Sequence, residues 1–418
     1  MKSTITAIAA LLSTAAFAAP AAAQFYGDVR TPQEAAKQQK PEVAPAQPGQ
    51  PQVSKAAFKA LQKLQAAVDS KNAAEIPADV AAANAVAKTA DDRYMIGVLR
   101  YKAAEASKNE SEKAAALEAM IASGFNGIAP STLYADLGNT YSELKQIDRA
   151  IAAYQHGVQL DPANAAATGG LAEAFVAQGR ASDAVAVLEK AIAAQASAGQ
   201  KVSENWYKRA IAIAYKAKLP GAVPMSRALV EAYPTSANWH EALRLYEAVS
   251  KPDDARALDM LRLERATGAL TEQYDVLHYA DIAVRNGLVA EAKAVLEEGA
   301  AANRVNRDST DFKEIYGLAT ETKPATDLPA APEAGASGSK TLSVGDSYFG
   351  KGDYAKAAEF YRAAAGKSGI EPDLAKLRTG IALAMQGDNA GAAAALAEVK
   401  GSYQQLASYW AIYAATKR

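Results

Sequence analysis

The sequence predicts an all-α protein, a helical-hairpin solenoid in two segments joined by a Pro/Ala/Gly-rich linker. Three observations lead to this fold class. Hydrophobic residues make up 50% of the 418 residues but aromatic residues only 7%, which favours helices packed closely through small side chains. Apolar residues recur at helical spacing along most of the chain, and no alternating Val/Ile/Thr run indicates a strand. A pattern of small and large residues recurs at a fixed period typical of helical repeats.

Residues 1–23 have the three parts of a secretory signal peptide. Lys2 precedes an apolar run, and three alanines end at Ala23 before Gln24. We expect cleavage after Ala23 and export to the periplasm or, alternatively, to the medium. A membrane anchor is disfavoured because the run is too short and alanine-rich to span about 30 Å of hydrocarbon. No later run is long and apolar enough for a membrane helix, so we expect no membrane span; a peripheral association with the envelope stays open.

Charge and cysteine content exclude several classes. The chain has 45 basic and 46 acidic residues, whereas a nucleic-acid-binding protein needs a basic excess to neutralise phosphates. It has no cysteine, so neither disulfides nor a lipid on an N-terminal cysteine can stabilise or anchor it. We therefore expect no nucleic-acid partner, and stability that comes from packing alone.

The composition divides the chain into six parts. The segment after the signal peptide is rich in proline and glutamine; its prolines 45, 48 and 51 would suit a polyproline-recognising groove, but the composition is typical of a spacer. The parts are the signal peptide (1–23), the disordered tail (24–53), an N-terminal helical region without a recognisable repeat (54–131), a repeat array (132–318), the linker (319–340) and a C-terminal repeat pair with a capping helix (341–418).

The repeat is clearest in residues 133–162, where small residues alternate with large rings. Two antiparallel helices cross closely only where side chains are small, and rings fill the gaps between them. We therefore place Gly138 and Ala150 where helices touch, and Tyr141 and Tyr154 in the gaps. The same pattern returns one repeat later at Leu171, Ala172, Phe175, Ala184, Leu188 and Ala191.

This arrangement resembles the tetratricopeptide repeat family, whose unit is about 34 residues long. A nearly ideal copy contains Gly345, Tyr348, Ala357, Tyr361 and Ala364, and a last unit contains Gly380, Leu383, Ala392 and Leu396. Residues 203–270 give degenerate copies, in which Pro220 and Pro224 disturb a turn and Arg262 occupies the position of a small residue.

The resemblance implies a superhelix whose first helices line a concave groove that binds peptides or partner proteins. It also implies the groove-facing residues, taken from the ninth and thirteenth positions of the repeat. They are Asn139, Glu143, Glu173, Arg244, Asp281, Arg285 and Asp346. A clamp for C-terminal carboxylates is disfavoured because Ala135, Gly169 and His240 stand where that subfamily has cationic residues.

No motif indicates catalysis, a metal or a cofactor. The glycine-containing stretches 335–341 and 366–368 lack the spacing and the strand–helix context of a phosphate-binding loop. The three histidines, His156, His240 and His278, lack metal-ligand spacing, so a zinc site would have to combine distant repeats and carboxylates. The acids at 91–92 and 253–254 stand at helix starts, where compensation of the helix dipole explains them better than acid–base catalysis. We predict a non-catalytic periplasmic scaffold, with an enzyme on helical repeats, a hydrolase or wall-active factor, as the alternative.

The C-terminal helix carries a stripe of large side chains: Tyr403, Leu406, Trp410 and Tyr413. The last unit of a solenoid needs a cover for its open end. We expect this helix to be that cap, with a docking site for a partner as the alternative.

Overall fold

The computed structural model describes residues 50–322 and 327–417, and within these ranges it contains twenty α-helices and no strand. The predicted signal peptide and nearly all of the Pro-rich tail lie outside the described residues. No helix among the described residues is long and apolar enough to cross a membrane. The described residues form two compact units, one ending at Leu219 and the other beginning at Pro220. The predicted all-α hairpin architecture is confirmed.

In the first unit, successive helices pack as antiparallel pairs. The first helices of neighbouring pairs also touch, as α5 and α7 do. The helices are α1 (Lys55–Asp69), α2 (Ile76–Val86), α3 (Ala90–Ser107), α4 (Glu110–Ala122), α5 (Pro130–Glu143), α6 (Ile147–Leu160), α7 (Ala165–Ala177), α8 (Ala181–Ser197) and α9 (Glu204–Lys216).

Small residues allow the helices of this unit to approach closely. A Cβ atom added at Gly138 would lie 2.5 Å from Cδ1 of Tyr154, and one added at Gly170 would lie 2.3 Å from Cε1 of the same ring. Ala150 is fully buried. The ring of Tyr154 thus fills the gap between α5 and α7, which confirms the packing predicted from the repeat. The region before it, which shows no repeat in sequence, forms hairpins as well, with Gly97 of α3 against Met120 of α4.

The paired acids at helix starts have structural roles, as predicted. Asp92 is fully buried and completes a capping box with Thr89 at the start of α3. Its carboxylate accepts hydrogen bonds from the backbone N–H and the hydroxyl of Ser54, both at 2.8 Å. Asp92 therefore holds the start of α1 against the start of α3. Asp253 caps α12 by accepting a hydrogen bond from the N–H of Arg256 at 3.0 Å.

The second unit contains helices from both sides of the Pro/Ala/Gly-rich linker. They are α10 (Ala222–Ala232), α11 (Ser236–Ser250), α12 (Asp254–Thr267), α13 (Gln273–Arg285), α14 (Val289–Ala301), α15 (Thr310–Glu321), α16 (Gly338–Gly350), α17 (Tyr354–Ala365), α18 (Pro372–Gln386), α19 (Asn389–Ala397), a 3₁₀ turn (Gly401–Tyr403) and α20 (Gln404–Thr416).

The C-terminal helix α20 covers the helices beneath it. All four residues of its predicted stripe are buried, and α20 packs on α18 and α19, as expected of a cap. It also packs on α10 and α12, far earlier in the chain. There the indole N–H of Trp410 donates to the backbone carbonyl of Asp259 at 3.0 Å, and the hydroxyls of Tyr409 and Ser226 lie 2.6 Å apart. The cap therefore closes the core of the second unit.

Candidate binding surfaces

Asp346, predicted to face the groove, is instead part of a buried ionic network. Its carboxylate accepts hydrogen bonds from Arg378 at 2.7 Å and from the hydroxyl of Tyr361 at 2.7 Å, and its side chain is only 9% exposed. The groove assignment of Asp346 is wrong because α12 and α18 bring arginines against this face of α16. No partner can reach the carboxylate without unpacking the unit.

The buried network contains three carboxylates and two guanidinium groups: Asp259, Glu291 and Asp346 with Arg262 and Arg378. Arg262 makes a fork of two 2.8 Å hydrogen bonds to Glu291 and a third bond of 2.9 Å to Asp259. Burial would raise the pKa of Glu291, but Arg262 holds it below its usual value. Burial raises the pKa of Asp259, although the charges of Arg378 and Arg262 oppose this shift. Arg262, noted in the sequence as the wrong residue for a tight helix contact, is the centre of this network.

Three predicted groove residues lie on α5 and α7 in the first unit. Asn139 is half-buried and accepts a hydrogen bond of 2.6 Å from the hydroxyl of Tyr154, so it also supports the packing of that ring. Glu143, whose side chain is 55% exposed, lies 3.4 Å from Nζ of Lys113. Glu173, 44% exposed, forms a two-bond fork with Arg209 of α9. These side chains are accessible but already have partners.

The remaining three residues lie on α11 and α13 in the second unit. Arg285 and Asp281 form an exposed pair at 3.1 Å, and Arg285 also pairs with Asp254 of α12. Arg244 bridges Glu247 at 2.7 Å and Asp275 at 3.2 Å. Sequence reasoning placed these residues on one face, and the structure joins Arg244 to a group of acids that this reasoning missed.

We call this group the acidic cluster; its members are His240, Arg244, Glu247, Glu264, Glu272 and Asp275. They come from α11, α12 and the start of α13. Ligand atoms of His240, Glu272 and Asp275 all lie within 4.8 Å of one another. The cluster contains four carboxyl groups but only one guanidinium, so it keeps a surplus of negative charge even with one carboxyl group protonated.

Two carboxyl groups of the acidic cluster are buried without full hydrogen bonding. Both oxygens of Glu264 and the Oδ2 atom of Asp275 have no hydrogen-bond partner, and both residues are at most 1% exposed. Burial and then the negative charge of Asp275 raise the pKa of Glu264 to about 9. Burial also raises the pKa of Asp275, although Arg244 opposes the shift. The cluster is thus suited to binding a cation.

Comparisons with known proteins agree with the repeat assignment. Tetratricopeptide repeat models match residues 141–200 and 342–407, which supports a tetratricopeptide repeat family for this chain. No curated protein matches the sequence.

Among solved structures, 75 chains match. One is the pentatricopeptide repeat protein PPR10 from maize, at 14% identity and a TM-score of 0.32, over 84% of this chain and 57% of that one. Another is Naa15/Naa10 bound to HypK-THB, at 14% identity and a TM-score of 0.17, over 84% of this chain and 63% of that one. This chain therefore spans about six tenths of the length of these two structures.

Proposed function

We propose that the protein is a non-catalytic scaffold that binds protein or peptide partners in the periplasm. Tetratricopeptide repeats are typical of protein–protein interaction, and grooves of helical repeats bind peptides or helices. The proposal is supported by one observation above all: accessible polar side chains lie on α5 and α7, adjacent first helices within or beside a matched repeat segment. Cell-envelope assembly is the setting that we propose for such a scaffold, on the resemblance to exported bacterial repeat proteins.

The charge around α5 supports a partner with basic residues. Nζ of Lys113 lies 3.2 Å from a carboxylate oxygen of Glu110 and 3.4 Å from one of Glu143. The charge of Lys113 also lowers the pKa of the buried Asp136, whereas the charge of Glu105 raises it. Burial raises the pKa of Asp136 to about 6, and its Oδ2 atom has no hydrogen-bond partner. Lys113 is thus shared by Glu110, Glu143 and Asp136, and three carboxyl groups for one lysine leave a negative surplus that attracts cationic segments.

Cross-linking in intact cells, followed by mass spectrometry, identifies the partner and permits a direct test of the surface. Glu143→Lys with Glu173→Lys should weaken binding of the purified partner at least tenfold, with helicity unchanged. The matched control is Glu189→Lys, the same charge reversal at an exposed position of the second helix α8. If the control weakens binding equally, or the double variant does not, the partner does not bind at α5 and α7.

The same binding assay decides whether the Pro-rich tail takes part. Residues 31–49 can be deleted without removing Gln52 or Ser54, whose N–H groups bond to Asp91 at 2.6 Å and Asp92 at 2.8 Å. We expect this deletion to leave affinity nearly unchanged, since we interpret the tail as a spacer. A loss of binding on deletion, with the charge reversals silent, would move the binding site to the tail.

Export is a separate part of the proposal. It is supported by the signal-peptide pattern of residues 1–23. We expect the first residue of the mature protein to be Gln24, and the protein to be released when the outer membrane is opened gently. N-terminal sequencing that finds Met1 on cytosolic protein would contradict this.

A further inference from the structure

The imidazole of His240 is held in one tautomer. Its Nδ1 atom lies 3.1 Å from the carbonyl oxygen of Ala269, and because a carbonyl oxygen can only accept, Nδ1 must carry the hydrogen. The lone pair of the neutral ring is then on Nε2. This arrangement, in which one ring nitrogen donates to a backbone carbonyl, is the usual way in which a metal-binding histidine is oriented.

The other ring nitrogen lies close to a carboxylate oxygen, and two acceptors this close are stabilised by a proton or a metal ion between them. Nε2 of His240 lies 3.5 Å from Oε1 of Glu272, so a proton or a metal ion is needed to turn this contact between two acceptors into an attraction. In a tetrahedral zinc site with bonds of about 2.1 Å, neighbouring ligand atoms are about 3.4 Å apart. The observed separation is therefore close to that of two ligands on one ion.

Buried carboxyl groups supply the third ligand and the charge. Asp275 is 1% exposed, and its Oδ2 atom has no hydrogen-bond partner; its other oxygen is held by Arg244 at 3.2 Å. Glu264 of α12 is buried as well, and neither of its oxygens has a hydrogen-bond partner. An unpartnered buried carboxyl group is costly, and a dication would offset more of this cost than a single proton on His240.

We propose that His240, Glu272 and Asp275 bind a divalent transition-metal ion, Zn²⁺ by the character of the ligands. One imidazole nitrogen with two carboxylate oxygens suits Zn²⁺ better than Ca²⁺ or Mg²⁺, which prefer oxygen ligands alone. Glu272 has a side chain that is 58% exposed and that of His240 is 20% exposed, so the ion can enter from solvent and keep water as a fourth ligand. The site goes beyond the proposed scaffold function and does not depend on it.

The experiment is a calorimetric titration of the full mature chain, freed of metal with a chelator, with Zn²⁺, Ca²⁺ and Mg²⁺. We expect one equivalent of Zn²⁺ to bind, and Glu272→Gln and His240→Asn each to weaken it at least tenfold. The matched control is His156→Asn, the same substitution at an exposed position in the first unit, which should bind like the wild type. Glu272→Gln changes an exposed side chain, so it keeps the test valid if His240→Asn loses helicity by circular dichroism.

Three results would overturn the proposal. The first is that the wild type shows no saturable Zn²⁺ binding, and the second is that His156→Asn and His240→Asn weaken Zn²⁺ binding equally. The third is that Ca²⁺ binds as tightly as Zn²⁺ and that His240→Asn does not change Ca²⁺ binding. Nitrogen-15 NMR separates the metal from a proton at constant pH. Addition of Zn²⁺ should move the Nε2 resonance of His240 while Nδ1 stays protonated. If the Nε2 resonance instead shows a protonated nitrogen and does not shift when Zn²⁺ is added, Glu272 pairs with an imidazolium and no metal ion binds.

Discussion

The buried ionic network of the second unit allows a quantitative prediction about Asp346. The network has three carboxylates and two guanidiniums, so it carries one surplus negative charge when all five groups are ionised. Replacing Arg378 by Met would leave three carboxylates with one guanidinium in a site closed to water. Removing one partner of a buried ion pair typically costs about 3–5 kcal/mol, and we expect Arg378→Met to reduce the free energy of unfolding by this amount.

Asp346→Asn should cost less than Arg378→Met, although the two residues are partners. The amide keeps the shape of the side chain and can still accept from Tyr361, which donates to Asp346 at 2.7 Å, and it leaves two carboxylates with two guanidiniums. We expect a loss of about 1–3 kcal/mol, that of a charge-assisted hydrogen bond. A groove residue in contact with solvent would lose under about 0.5 kcal/mol. The size of this loss therefore separates a buried from a groove-facing Asp346.

The matched control is Arg285→Met, the same substitution in a pair whose two side chains are 49% and 47% exposed. It should cost under about 1 kcal/mol because water screens the charges. Urea unfolding can be followed by tryptophan fluorescence in a Trp206→Phe background, since the other two tryptophans, Trp239 and Trp410, lie in the second unit. An Asp346→Asn loss larger than that of Arg378→Met, or an equal loss in Arg285→Met, would refute the charge count.

Two further predictions concern packing and pH. Gly345→Leu should lower stability by about 1–3 kcal/mol through overpacking, because even a Cβ atom would lie 2.8 Å from the ring of Tyr361; Gly366→Leu, with open space around it, should cost under about 0.5 kcal/mol in urea unfolding. The pH prediction concerns Asp92. Burial raises the pKa of its carboxyl group, but hydrogen bonds from Ser54, Lys88 and Thr89 outweigh burial and lower the pKa to about 2, below the unfolded value of about 3.9. Its contribution to stability is therefore complete above about pH 5 and is lost as the pH falls toward 2; a stability–pH profile of Asp92→Asn that keeps the full slope of the wild type would contradict this.

The sequence was sufficient to predict contacts within a hairpin. Gly138 and Tyr154 stand at fixed places in the repeat, so their spacing alone predicts that one fills the gap left by the other. The burial of Trp410 followed from its place on an apolar stripe. The first inference needs no knowledge of distant parts of the chain, because the two helices of a hairpin are adjacent in sequence. The second predicted that Trp410 is buried but not that it bonds to Asp259, far earlier in the chain.

Contacts between hairpins were harder to predict, and Asp346 shows why. Its repeat position predicts exposure only if nothing packs on the first helix of its hairpin. The period of the repeat does not show that α12 packs there. The signal that was present is chemical: Arg262 and Arg378 stand within apolar helical stretches, where an unpaired charge would be too costly. Each of these two arginines therefore needs a buried carboxylate as its partner, and Asp346 is one of the carboxylates that the chain can supply.

The ion pairs between helices suggest how such contacts can be found from sequence. Their partners are separated by close to one repeat: 30 residues for Lys113 and Glu143, 36 for Glu173 and Arg209, and 32 for Asp346 and Arg378. In a stack of similar hairpins the spatial neighbour of a position is its equivalent in the next hairpin, so opposite charges at this spacing tend to meet.

The same relation identifies where charges do not balance. Arg244 precedes Asp275 by 31 residues, and His240 precedes Glu272 at nearly the same spacing, so their hairpins bring two acids against one permanent cation. Glu264, from the helix between them, adds a third carboxyl group that has no hydrogen-bond partner. Pairing between neighbouring hairpins thus balances the charges of the three pairs named above but leaves a surplus at the acidic cluster. A surplus of buried carboxyl groups needs protons or a cation from outside the chain, and the orientation of His240 favours the cation.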